Sequence, residues 1–197
     1  MYLFRKIIGF IKIVWFSVLL LTVAIASIEQ EYQKIHKTLE YTKASYGNLN
    51  QPLEINYEYQ GISTNLKMYI DNTYQDQQLI LWNLQENWQE NRITVSKKVF
   101  EFWAYTTNIG MFVIYRRSDN IHWKIYDLSN GEQIFGGFLM KQDSNFNKLK
   151  EVYFAPYKKG AFCSLVFYDN INRQSYYIYY LDIWGRHDMV SKKEAKK

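Results

Sequence analysis

An apolar run near the N-terminus constrains this chain more than any other feature of its sequence. The run covers residues 7–28, contains 22 residues and carries a single charge, on Lys12. At a rise of about 1.5 Å per residue, a helix of this length spans roughly 33 Å, enough to cross a hydrocarbon layer about 30 Å thick. The sequence therefore predicts one membrane anchor over residues 1–28.

Side chains near the start of the run give this anchor a direction. Lys12 lies close enough to the polar end to snorkel toward Arg5 and Lys6, and Trp15 suits the same interface. Because bases collect on the inner side of membranes, we expect Met1 inside and residues 29–197 across the membrane. Small side chains on one face should pack against neighbouring spans. The residues assigned to the anchor are Ile7, Gly9, Lys12, Trp15, Ser17, Ala24 and Ile28.

A cleaved signal peptide is the alternative to an anchor. Ala24-Ile25-Ala26 fits the small-residue pattern that precedes a cleavage site after an apolar segment. Both interpretations carry the rest of the chain across a membrane, and they differ in whether the mature protein keeps the helix.

The formal net charge of +5 belongs to the two ends of the chain. The ends hold seven of the 24 bases and one of the 19 acids, so residues 29–189 hold 17 bases and 18 acids. A nucleic-acid surface needs many bases on one face, and this composition therefore argues against nucleic acid as a partner. Residues 190–197 contain four lysines and are expected to form a solvated basic tail, with contact to anionic lipid as the alternative.

Residues 29–47 continue at helical period after the apolar run. Ile28, Tyr32, Ile35, Leu39 and Tyr46 fall on one stripe. Gly47 and Pro52 then predict the end of this amphipathic helix. The stripe is expected to cover the sheet that follows, and a docking surface for a partner is the alternative.

The apolar period changes from 3.6 to 2 at Leu53, and short alternating runs follow, separated by polar turns. No later segment is long and apolar enough for a crossover helix, so the sequence predicts a mostly antiparallel β-domain over residues 48–189 and an α+β fold overall. Predicted strands cover residues 53–59, 66–70, 78–84, 92–95, 99–106, 111–116, 123–127, 133–138, 151–154, 162–168 and 176–184.

Two hairpins in this domain resemble each other, one starting at Phe112 and the other at Leu165. We interpret them as two similar hairpins in one sheet, and a subdomain break near residues 107–110 is the alternative. The turn at residues 125–132 is similar to turns in β-propeller blades. The chain is too short for the four blades that such a fold needs.

Residues with catalytic or metal-binding chemistry are sparse. Cys163 is the only cysteine and lies in an apolar run, which indicates a buried small side chain. His36, His122 and His187 lack the spacing of a metal site, and no phosphate loop or nucleophile elbow is present. We therefore expect no enzyme activity, no cofactor and no small-molecule substrate. An enzyme would require a cleft that gathers His122, His187 and acids.

The run at residues 176–184 concentrates aromatic side chains on both faces of one predicted strand. Tyrosine and tryptophan combine a large apolar area with a polar group and favour contact surfaces. The sequence thus gives either a partner surface or a strand buried on both sides. The candidate surface residues are Tyr176, Tyr177, Tyr179, Tyr180 and Trp184.

The order of elements over residues 10–105 resembles the Tim21/Coa1 group of mitochondrial inner-membrane proteins. The resemblance rests on the helix at 29–46, the turn at 46–53 with Gly47 and Pro52, and the strands at 66–70, 78–84 and 99–103. It implies a non-catalytic accessory or assembly subunit of a respiratory-chain or import complex, with other subunits and the lipid bilayer as partners. The N-terminus would lie in the matrix and the β-domain in the intermembrane space.

A bacterial protein is the alternative to a mitochondrial one. The same plan suits a component of an envelope or secretion complex, anchored in the inner membrane and facing the periplasm. The richness in Asn, Gln, Tyr and Lys fits an AT-rich genome of either kind.

Overall fold

The described chain begins with one long helix and continues in β-strands. The structure is a computed structural model that describes residues 2–59, 62–73, 75–85, 90–118, 120–141, 148–169 and 173–194. Helix α1 covers Tyr2–Ile35. The chain divides into two units, Met1–Leu39 and Glu40–Lys197. An apolar helix followed by a mostly antiparallel β-domain confirms the predicted fold class.

The strands of the second unit form three sheets in which all pairs are antiparallel. The strand bounds are β1 Thr42–Lys43, β2 Ser45–Asn48, β3 Leu53–Tyr59, β4 Ile62–Asp71, β5 Gln78–Asn83, β6 Arg92–Ser96, β7 Glu101–Thr107, β8 Gly110–Arg117, β9 Asn120–Tyr126, β10 Gln133–Lys141, β11 Lys148–Tyr157, β12 Gly160–Tyr168, β13 Gln174–Asp182 and β14 His187–Glu194. Each of the eleven predicted strands is confirmed. Sheet 1 has the order β3-β4-β5-β6, sheet 2 the order β10-β9-β8-β7-β2, and sheet 3 the order β1-β11-β12-β13-β14.

Sheet 2 lies between the other two sheets and is apolar on both faces. Along β8, Phe112 and Ile114 belong to a core shared with sheet 3, while Met111 and Val113 belong to a core shared with sheet 1. Alternate side chains of a strand point to opposite faces, so one continuous apolar run supplies both cores. The β-domain is therefore a stack of three sheets.

Each sheet is built on a meander of four consecutive strands, which is the strand count of a β-propeller blade. Three sheets are fewer than the four blades that a closed propeller needs. Among the described residues, the two apolar cores join sheet 1 to sheet 2 and sheet 2 to sheet 3. The stack is thus an open one.

Two predicted boundaries differ from the structure. Residues 107–110 form the hairpin turn between β7 and β8 within one sheet, so no subdomain begins there. Residues 190–194 lie in β14 and pair with β13 rather than forming a tail. Lys192 and Lys193 are polar residues of an edge strand, where charged side chains are common. Lys196 and Lys197 lie outside the described residues.

The helix ends at Ile35, well before the predicted end at Gly47. Thr38 donates its backbone N–H and its hydroxyl to the Ile35 carbonyl oxygen, which closes the last turn. Residues 42–48 then form β1 and β2, because pairing with β11 and β7 satisfies their backbone groups. Tertiary pairing here overrides a helical period in the sequence.

The segment 42–48 joins two sheets within seven residues. Its first strand pairs with β11 of sheet 3 and its second with β7 of sheet 2. Ala44 lies between them, buried in the core that these sheets share, and donates its N–H to the Val152 carbonyl at 2.8 Å. The Tyr46 ring packs on Trp103 with centroids 5.4 Å apart. The segment therefore closes one edge of the interface between sheets 2 and 3.

We predict that Gly47→Ala destabilises the β-domain by about 1–3 kcal/mol, the usual cost of overpacking. A Cβ at Gly47 would lie 2.3 Å from the Phe102 ring, which is fully buried. Urea unfolding of the full chain in detergent measures the change. Gly137→Ala is the matched control, because its Cβ would meet its nearest neighbour at 3.5 Å. Equal stability losses in both variants would contradict the prediction.

Candidate membrane anchor and aromatic surface

Over residues 13–31, helix α1 exposes its apolar side chains. A stretch long and apolar enough to cross a membrane covers Ile13–Ile35, and none of its most apolar window is buried within the protein. Two of its hydroxyl groups bond within the helix: Ser17 Oγ donates to the Ile13 carbonyl at 2.9 Å and Thr22 Oγ1 to the Leu19 carbonyl at 2.8 Å. Internal satisfaction of polar groups is what a hydrocarbon environment requires.

The predicted anchor residues all fall in α1. Trp15 and Ile28 are exposed, as a lipid-facing position requires, and Ser17 and Ala24 are exposed as well. Packing of the small-residue face against another span stays a prediction. The exposure of Ile7, Gly9 and Lys12 lies outside what the structure describes. An anchor and a signal sequence are both compatible with this helix.

The aromatic strand β13 divides its side chains between two faces. Tyr179 is buried in the core between sheets 2 and 3, and Tyr177 packs against that core. On the opposite face, Tyr180 is 2% exposed and its ring lies 5.2 Å from Phe162. Tyr176 is half-buried. Tyr179 lies in the inter-sheet core and Tyr180 packs on Phe162 on the other face, so neither belongs to the predicted surface.

Trp184 is the predicted surface residue that the structure leaves exposed, at 68%. It lies in the turn between β13 and β14, which a buried carboxylate holds in place. Asp182 Oδ1 accepts the N–H groups of Trp184 and Arg186, each at 3.0 Å, and Asp182 Oδ2 lies 3.6 Å from Arg186 Nε. Gly185 completes the turn at a φ of 88°, a conformation that favours glycine. A rigid turn thus presents the indole.

Other exposed apolar residues adjoin this turn. The Phe135 ring lies against Gly185, where a Cβ would approach it to 2.1 Å. His187 and Phe135 both contact Trp123, with centroid distances of 6.1 and 6.0 Å. Met189 is two residues beyond His187 on β14. We call Phe135, Trp184, His187 and Met189 the aromatic edge; all four are exposed.

Sequence reasoning placed only Trp184 in this surface and missed Phe135 and Met189. Asp182 and Gly185 on either side of Trp184 signal a turn and could have indicated its exposure. No local signal brings β10 against the β13–β14 turn, since that proximity comes from the stacking of sheets 2 and 3.

The two histidines considered for an enzyme site, His122 and His187, contact different cores. The His122 ring stacks on Tyr115, which belongs to the core with sheet 1. His187 contacts Trp123, which belongs to the core with sheet 3. The two rings therefore contact opposite faces of sheet 2. Within the described ranges, no three His, Cys, Asp or Glu side chains are grouped to hold a metal ion.

No family model, curated protein or solved structure matches this chain.

Cys163 lies in β12, fully buried between sheets 2 and 3, which confirms the sequence-based interpretation. Burial raises the pKa of its thiol well above the ordinary value, so the reactive thiolate is scarce.

We predict that a disulfide reagent at pH 8 labels the folded full chain at least about 100-fold more slowly than the guanidinium-unfolded chain. Cys163→Ser with Ser129→Cys is the control, because Ser129 is exposed and should be labelled at once. Prompt labelling of folded Cys163 would contradict its burial.

Proposed function

We propose that this protein is a single-pass membrane protein whose β-domain binds other subunits of a membrane complex, without catalysis. The observation that supports this most is the contrast between its two units. The β-domain buries its apolar side chains in two cores, whereas α1 leaves a row of Ile, Val, Leu and Phe side chains exposed. Lipid is the environment that stabilises such a helix.

The complex we propose is a respiratory-chain complex of the mitochondrial inner membrane, in which the protein acts as an accessory or assembly subunit. Arg5 and Lys6 before the span favour an N-terminus in the matrix and a β-domain in the intermembrane space. The aromatic edge supports a binding role, because exposed aromatic and methionine side chains are enriched where proteins meet.

We predict that the full chain stays in the membrane pellet after alkaline carbonate extraction. Leu20→Arg with Val23→Arg should release it, because each arginine at the centre of a span costs about 2.5–3.5 kcal/mol. Leu20→Ala with Val23→Ala is the control and should stay in the pellet. The mass of the mature chain is measured in parallel. A mature chain that lacks residues 1–26, or a soluble wild-type chain, would exclude the anchor.

The binding role is tested by a photoreactive amino acid at position 184. We expect a discrete cross-linked product in intact membranes, and a complex larger than the monomer after mild detergent extraction. The same amino acid at Glu54, exposed on sheet 1, is the control and should give no such product. A lone monomer at every dilution, with no cross-link from position 184, would overturn the proposal.

A further inference from the structure

Four basic side chains share the face of sheet 2 that packs on sheet 1. Tyr115 pairs with His122 and His122 with Phe138, so these three residues form one row across β8, β9 and β10. The adjacent rows hold Arg117 with Asn120 and Lys141 on one side, and Val113 with Lys124 and Gly136 on the other. Paired residues point to the same face of a sheet. We call Arg117, His122, Lys124 and Lys141 the basic cluster.

The row of Tyr115, His122 and Phe138 begins at a buried residue and ends at an exposed one. Tyr115 is buried, and its hydroxyl group hydrogen-bonds Ser96 of β6. The His122 ring stacks on it with centroids 5.4 Å apart, and Phe138 meets that imidazole edge-on at 5.7 Å. Phe138 is 49% exposed. Arg117, Lys124 and Lys141 therefore flank this row of three rings. The outermost ring, Phe138, is accessible to a ligand.

Lys124 has a half-buried side chain that is held in place by a hydrogen bond and by packing. Its Nζ donates to the Val95 carbonyl of β6 at 2.7 Å. Its stem crosses Gly136, where a Cβ would come within 2.6 Å of Lys124 Cγ. Burial lowers the pKa of the ammonium group. A lysine kept in this position bears an incompletely solvated charge beside the ring of His122.

Arg117 carries a buried donor without an acceptor. Its Nε is inaccessible to solvent and has no hydrogen-bond partner in the structure. Over the described ranges, no carboxylate oxygen lies within 4.0 Å of a nitrogen of the basic cluster; Asp76, on the sheet 1 side, pairs with Lys97 at 3.8 Å instead. A buried donor without an acceptor calls for an explanation, and a bound ion is one that would satisfy it.

The pKa of His122 also reflects the positive charges beside it. Desolvation, followed by the positive charges of Arg117 and Lys124, lowers the pKa of its imidazole. A ring N–H to the Gly137 carbonyl opposes this shift. A bound anion would offset both the desolvated cations and the repulsion between them.

We propose that the basic cluster binds a phosphate group and that Phe138 contacts the apolar part of the same ligand. Arginine offers a planar set of donors and lysine a compact charge, a combination suited to phosphate oxygens. Two lysines and an arginine beside an imidazole match a doubly charged phosphate better than a single carboxylate. The phosphate belongs either to a soluble ester or to a phospholipid headgroup. This inference is independent of the proposed anchor and goes beyond the expectation of no small-molecule ligand.

Calorimetry with pyrophosphate tests the site, using the full chain in zwitterionic nanodiscs at low salt. We expect saturable binding. Arg117→Gln with Lys124→Gln should weaken it at least about 10-fold, since two charged donors to the anion are lost. Lys141→Gln, at an exposed position, should weaken it by a smaller factor without affecting folding. NMR of His122 should show its pKa rising when pyrophosphate binds.

The matched control is Lys150→Gln with Lys193→Gln, which removes two exposed charges from sheet 3 and should leave binding unchanged. Competition by nanodiscs that contain phosphatidic acid would assign the phosphate to a lipid headgroup, and its absence would assign it to a soluble ester. Undetectable pyrophosphate binding, equal losses in the control and Lys141→Gln, or binding of polyglutamate but not of pyrophosphate would overturn the proposal.

Discussion

Burial of sheet 2 on both faces is the constraint on which the rest of the β-domain depends. Because successive residues of β8 enter two different cores, sheets 1 and 3 each pack on a different face of sheet 2. Trp103 and Trp123 fill the core with sheet 3, whereas Phe102 and Tyr126 fill the core with sheet 1. Register in sheet 2 is therefore strongly specified, since a slip of one residue would exchange the two sets of side chains.

The short segment 42–48 reinforces this arrangement at one edge. It adds a strand to sheet 3 and then a strand to sheet 2, so the backbone itself crosses their interface. The opposite edge has no such crossing segment among the described residues. There β10 and β14 are the outer strands, and the aromatic edge and the basic cluster both involve residues of β10. The surfaces with binding potential thus collect where the stack is open, on opposite faces of the same sheet.

The two units suggest a division of work between anchoring and binding. The apolar surface of α1 provides membrane attachment in our proposal, and the turn around Asp182 presents Trp184 to a partner. The basic cluster adds a surface for anions, because it concentrates positive charge in a domain whose overall composition is near neutral. Residues 29–189 hold 17 bases and 18 acids, yet Arg117, Lys124 and Lys141 meet on one face without a described acid between them. Local charge, rather than net charge, decides what such a surface attracts.

The sequence by itself determined the apolar helix, eleven strands and the burial of Cys163, because each depends on a local period or composition. It placed the end of the helix too late, since pairing of residues 42–48 with β11 and β7 decided that boundary. It also missed β14, a polar edge strand that forms a hairpin with β13. The aromatic run at residues 176–184 indicated a contact surface or a buried strand. Only the packing of sheet 3 on sheet 2 decided that Tyr179 is buried while Trp184 faces solvent. The basic cluster was invisible in the sequence, because cross-strand register brings its members together from three strands.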